Sequence, residues 1–395
     1  MKRRIAITGV GAVTALGPDV AALLDGLRAG RSGLGELTLF DGSGLRSRIV
    51  GQAVASTLPI EDAASASRPD RFGLSAALEA VAQAGLEAHE RARAAVIFGT
   101  GTGGVAWTER YLGQLPERLP PASWLVPHQP ASVTDLVARQ LGIAGPRTTV
   151  MTGCSSSAIA IGMAADRIRL GQVEVALAGG AEGLCRLTAA GFGALRATSP
   201  VPCRPFDVAR DGLNLGEGGA LLVLESWEHA RARGATVLAE LGGWGLTADA
   251  HHITAPLPSG EGAARAMAAA LDDAALPATV VDYINAHGTA TLQNDAAETM
   301  AIRALFGARA EAVPVSSSKS MIGHTLGAAG AIEAVASVLA LQYGFVPPTV
   351  NLRTPDPALG LDYVPGAARS RALGAVLSNS FAFGGNNASL LFLRA

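Results

Sequence analysis

The chain has 395 residues, longer than one domain usually is, so two domains or one large duplicated α/β body is expected. Lysine plus arginine total 31 against 33 acids, and no basic stripe or block of like charge points to nucleic acid or an anionic membrane. Three cysteines without metal-ligand spacing speak against a zinc site or a disulfide framework and for a reduced, cytoplasmic setting.

The opening "MKRRIAITGVGAVTALG" reads as a first strand and turn rather than a leader, because its apolar residues are β-branched and interrupted by glycine. No apolar run reads as long enough to span a membrane. The helical "DVAALLDGLRAG" and "FGLSAALEAVAQAGL" and the strand "AAVIFGT" follow, an alternation that means layered α/β architecture. The rhythm continues through "VEVALAGGAE" and "GALLVLE", then resumes with "TVLAELGG", "GAARAMAAALDDAAL", "VVDYINAHG" and "AIEAVASVLALQYG". Two stretches echo each other: "VMTGCSSSAIAIGMAA" and "VSSSKSMIGHTLGAAGAIEAV" each give a strand, a Ser-rich corner and an apolar helix of small residues. Two halves sharing one body are expected, residues 1–235 and 236–395. "VEVALAGGAE" is a possible apolar edge for a dimer.

Cys154 stands at the strand-to-helix corner "TGCSSS". There a thiol meets unpaired backbone N–H groups and the positive end of a helix macrodipole, which favour thiolate and can lower its pKa. The same N–H groups can hold an oxyanion once the sulfur is acylated. Cys185 and Cys203 read as small buried hydrophobes. Of seven histidines, His89 and His229 read as solvated helix residues, whereas His287 and His324 follow apolar residues and precede Gly/Thr-rich turns that can present them to a cleft. Lys2 and Lys319 are the only lysines among 31 basic residues, so Lys319 looks chosen for a compact ammonium, with Glu298 as a candidate carboxylate partner.

Five stretches in order, "TGCSSS", "RPFDVARDGLNLGEGGA", "NAHGTATLQND", "SSSKSMIGHTLGAAGAIE" and "SNSFAFGGNN", make the whole chain resemble the elongating β-ketoacyl-acyl-carrier-protein synthases. The resemblance implies a duplicated thiolase-like fold, layered α-β-α-β-α with two mixed sheets. It implies decarboxylative condensation of an acyl group held on Cys154 with malonyl-acyl carrier protein, in fatty-acid, polyene or polyketide synthesis. His287 and His324 would stabilise the enolate, Lys319 with Glu298 would order the site, and the N–H groups of Cys154 and Phe383 would hold the second oxyanion. Thr289 and Thr291 would hydrogen-bond the pantetheine arm, while Phe381, Phe383 and Thr102 would shape the acyl pocket. No tightly bound cofactor and no metal are implied. The partners implied are the acyl carrier protein and a second subunit, either a copy of this chain or a chain-length-type homologue. Ala382, Leu292-Gln293 and Asn386 depart from the usual glycine, Pro-Leu and threonine, and Ser157 suits the polyketide type. A thiolase, which needs a second cysteine near its C-terminus, and a non-catalytic chain-length partner, which lacks the nucleophile, are the rival readings.

Overall fold

The computed structural model describes residues 2–54 and 66–395. Its long apolar runs become strands buried on both faces, as a sheet covered by helices on each side requires. The sheet strands of the first half are β1 (Ile5–Val13), β2 (Ala95–Gly99), β3 (Arg147–Val150), which is part-exposed and outermost, β4 (Val175–Glu182) and β5 (Gly218–Ser226). In the second they are β6 (Ala239–Ala248), β7 (Tyr283–Asn285), β8 (Val315–Ser316), β9 (Ala375–Phe381) and β10 (Asn386–Leu393).

The strand order runs β3-β2-β4-β5-β1 and then β6-β10-β9-β7-β8. Read outward from the seam, the two halves have the same order and the same directions: two antiparallel neighbours, then two parallel ones. The two expected mixed sheets are therefore present as five-stranded halves. They join edge to edge through a short antiparallel ladder, Ala6↔Glu240 and Ile7↔Ala239, into one ten-stranded sheet. The echo between the Cys154 and Lys319 stretches is explained, because β3 and β8 are matching outermost strands. The reading of "VEVALAGGAE" as an edge is corrected: β4 lies inside the sheet, paired on both sides.

Alternate faces of each strand feed different cores. Ile97 and Leu222 join Ile159 and Ile161 of the Ser156–Arg169 helix and Ile332 and Val335 of the Ala329–Tyr343 helix in a central core. Val96 and Phe98 pack outward against Phe72 of the Arg68–Ala84 helix. Ile284 and Leu377 pack outward against Met267 and Ile302 of the Glu261–Ala274 and Leu292–Phe306 helices. The layers are helix, sheet, helix pair, sheet, helix. The reading that no apolar run is long enough to span a membrane is corrected: Leu326–Tyr343 is long and apolar enough, yet 89% of it is buried inside the protein as half of that central pair.

Candidate active site

The two central helices bring the corners from both halves together. Cys154 sits in a 3₁₀ turn, Gly153–Ser155, that leads into the Ser156–Arg169 helix. Gly153 takes φ +64°, which a side chain would strain, and Ser156 closes the corner by accepting from Thr152 N at 2.9 Å and donating to Gly153 O at 2.7 Å. Ser157 Oγ accepts the Ala331 N–H at 2.9 Å, pinning this helix to its counterpart. His324 follows the short Lys319–Ile322 helix, its own N–H bonded to Asn214 O at 2.7 Å. His287 follows β7, and Glu298 holds its backbone by accepting the N–H of His287 at 2.9 Å and of Gly288 at 2.8 Å.

His324 Nε2 lies 3.0 Å from Cys154 Sγ. The Leu326 N–H donates to His324 Nδ1 at 3.3 Å, so in the neutral ring the proton sits on Nε2 and faces the sulfur. The His287 and His324 rings meet edge to face with centroids 5.3 Å apart, and His287 Nδ1 is buried with no partner among the described residues. Burial, then the nearby Lys319 charge, holds both imidazoles well below the usual histidine range, so both are neutral donors at working pH. Sγ and one nitrogen from each ring lie within 4.8 Å of one another. That donor set is of a kind soft cations use, and the same space suits a carbonyl set between a nucleophile and N–H donors.

The expected lowering of the Cys154 pKa is overturned. Burial pushes the thiol up to about 12, the charge of Lys319 and the Phe383 N–H offset this only in part, and Glu182 and Glu333 raise it further. Enclosure by both halves outweighs the helix end. The resting sulfur is a thiol.

Lys319 is 1% exposed, and its ammonium pairs with Glu333, not with Glu298. Glu298 is instead filled by the two N–H groups above and by Asn379 Nδ2 at 3.1 Å. Glu333 sits on the Ala329–Tyr343 helix, which passes alongside the lysine. Burial pushes both carboxyls up to about 7. Thr102 is also displaced from its expected place: its hydroxyl and N–H bond to Glu182, and it does not line the cavity at Cys154. His229 is pinned rather than solvated, Nδ1 to Glu225 at 2.7 Å.

A cavity of about 330 Å³ opens onto the site, lined by Cys154, His287, His324, Thr289, Thr291 and Phe383 among others. Phe381 tilts against His287 with centroids 5.8 Å apart, and Phe383 stacks on Phe192 at 5.6 Å. The Thr289 and Thr291 hydroxyls are 3.0 Å apart, and Thr291 also caps the Leu292–Phe306 helix through Asn294 N. Ala382 is buried, and Leu292 and Gln293 line the cavity. Sequence reasoning did not single out Glu333, Glu182, Asn379 or Phe192. For the two acids a signal existed, since each is a lone carboxylate in an otherwise apolar, buried element.

Residues 2–230 match the family described as beta-ketoacyl synthase, N-terminal domain, and residues 238–353 that described as beta-ketoacyl synthase, C-terminal domain. A 3-oxoacyl-[acyl-carrier-protein] synthase 2 from Synechocystis sp. is 42% identical over 409 residues, covering 99% of this chain and 98% of its own. Among solved structures, the ishigamide ketosynthase/chain length factor superposes with a TM-score of 0.95 at 37% identity, all of both chains being covered. A type II polyketide ketosynthase bound to its hexaketide, in complex with its acyl-carrier protein, gives 0.93 at 32%, again over both whole chains.

Proposed function

This chain belongs to the β-ketoacyl synthase family, and we propose that Cys154, His287 and His324 carry its decarboxylative condensation of an acyl group with a malonyl unit, both delivered as thioesters of an acyl carrier protein. The observation that carries the assignment is the 3.0 Å contact from His324 Nε2 to Cys154 Sγ beside a second neutral imidazole. In the first half-reaction Cys154 sulfur bonds to the acyl carbon, and the pantetheine sulfur leaves with the proton that the cysteine loses. In the second, malonyl thioester loses CO₂, and the enolate oxygen takes the N–H bonds of His287 and His324, which need no charge to donate. The enolate carbon then attacks the acyl-cysteine carbonyl, whose oxygen is held by the N–H groups of Cys154 and Phe383 until the C–S bond breaks. Lys319 paired with Glu333 keeps positive charge beside the sulfur, while Glu298 fixes the His287 backbone. Thr289 and Thr291 hold the pantetheine arm, and Phe381, Ala382 and Phe383 bound the acyl group.

The acyl carrier protein as partner is supported by the solved complex of a similar ketosynthase with its carrier, and a second subunit of chain-length type by the ishigamide pair. The retained cysteine and histidines speak for the catalytic rather than the chain-length role. A thiolase reading is disfavoured because no cysteine follows Cys203, which is buried against Lys319 O. The test is intact-mass analysis of Cys154 acylation across a panel of acyl-carrier proteins, with Cys154→Ala and His324→Ala alongside. Cys154→Ala should take no acyl group. His324→Ala should take one yet release no CO₂ from malonyl-carrier protein, and equal damage to both steps would refute the division of labour.

A further inference from the structure

Glu182, at the end of β4, is fully buried, forms no ion pair among the described residues, and no step above uses it. Its carboxylate fills a nest of main-chain donors: Gly101 N at 2.6 Å and Gly327 N at 3.1 Å on Oε2, and Thr102 N at 3.1 Å with the Thr102 hydroxyl on Oε1. These donors come from two separate turns. One is the turn after β2, and the other is the Leu326–Ala328 turn that follows His324. The turns touch so closely that a Cβ on Gly327 would fall 2.2 Å from Gly101 N. Leu326 is held at φ +46°, a left-handed conformation a leucine adopts only under constraint. From that conformation it donates its N–H to His324 Nδ1.

We propose that Glu182 is a positioning residue for His324: by holding the Gly327 N–H it keeps Leu326 in the left-handed turn, which fixes the imidazole with its Nε2 proton aimed at the reacting oxygen. A carboxylate suits the task because four donors converge on two oxygens, and the glutamine amide nitrogen could accept from none of them. The inference rests on the assignment of His324 to the decarboxylation step. If the Leu326 turn relaxes, the ring is free to carry its proton on either nitrogen and to shift, and a misplacement on the order of 1 Å is enough to cost about 100-fold in rate.

The experiment is single-turnover measurement of both half-reactions in Glu182→Gln, with wild type and His324→Ala in parallel. Glu182→Gln should acylate Cys154 within about threefold of wild type while decarboxylating malonyl-carrier protein 10- to 100-fold more slowly, since only the second step needs the His324 donor. A merely structural role would slow both steps together, and that result, or an unchanged ratio, overturns the proposal. If His324→Ala itself shows no selective loss of decarboxylation, the functional assignment fails instead. Should Glu182→Gln not fold, Thr102→Val decides. It removes one side-chain donor from the carboxylate and leaves the three main-chain ones, so the ratio of the two steps should still shift in the same direction, and no shift overturns the proposal.

Discussion

Replacing Lys319 by methionine keeps most of the side-chain stem and removes the ammonium, which leaves Glu333 buried opposite nothing. Both side chains are almost fully enclosed, at 2% and 1% exposure, so solvent cannot screen the loss. Breaking such a pair costs about 3–5 kcal/mol. With an unfolding entropy of about 2.1 cal/mol/K per residue, the chain carries about 0.8 kcal/mol/K, so Tm should fall by about 4–6 °C in a thermal-shift assay. Lys319 also lowers the Cys154 pKa, so iodoacetamide alkylation of Cys154 at pH 8 should slow as the thiolate fraction drops. The double variant Lys319→Met/Glu333→Gln separates the two effects. It removes the stranded carboxylate, so Tm should recover, while alkylation stays slow because the larger, favourable charge is still missing. A double variant no more stable than the single one, or Lys319→Met alkylating at the wild-type rate, would refute the reasoning.

Lys319→Arg should accumulate as soluble, nearly inactive protein in condensation assays, because a planar guanidinium is larger than the ammonium and would displace Glu333 or crowd His324. Ala382→Gly removes a buried methyl from the loop of Phe383, and acyl-panel turnover should broaden rather than vanish. The raised carboxyls Glu182, Glu298 and Glu333 each lie near 7 when folded, above their unfolded values. The native state therefore binds more protons, and the stability they contribute is lost as pH rises through about 7. Tm should fall between about pH 4.5 and 7, where the unfolded carboxyls are ionised and the folded ones still hold protons, and level off above that, and Glu298→Gln should remove about a third of that slope. Cys185→Ala should leave both half-reactions unchanged by mass spectrometry, because Cys185 is buried against Thr188 and lines no part of the cavity.

The reactive groups were legible because each is a rare residue at a Ser- or Gly-rich corner, where packing has little use for it. The duplication was legible for the same reason, since the two corners repeat a strand, a polar turn and a small-residue helix. The partner of Lys319 was not, because Glu298 and Glu333 are both buried acids on helices, and choosing between them requires knowing which helix runs beside the lysine. The state of Cys154 was hidden too: a corner at a helix start predicts a lowered pKa, and only the closing of both halves over it reverses the sign. β4 misled because an apolar strand reads the same at an edge as in the middle of a sheet. Thr102 was placed by family likeness, and the acid that claims its hydroxyl lies eighty residues away in the chain.

The matching corners have a consequence for how durable the site is. Cys154 lies two residues before the Ser156–Arg169 helix and His324 five before the Ala329–Tyr343 helix, and the Gly153–Ser155 turn packs on the Leu326–Ala328 turn that follows His324. The beginning of the Ser156–Arg169 helix thus stands at the nucleophile, carrying roughly half a positive charge made of peptide groups. A field of this kind belongs to the main chain, so no side-chain substitution removes it, and it needs no rearrangement when negative charge develops on a substrate oxygen. Stripping the pocket of its named side chains one at a time would leave behind a floor of electrostatic stabilisation that only unfolding of the central helix pair could erase.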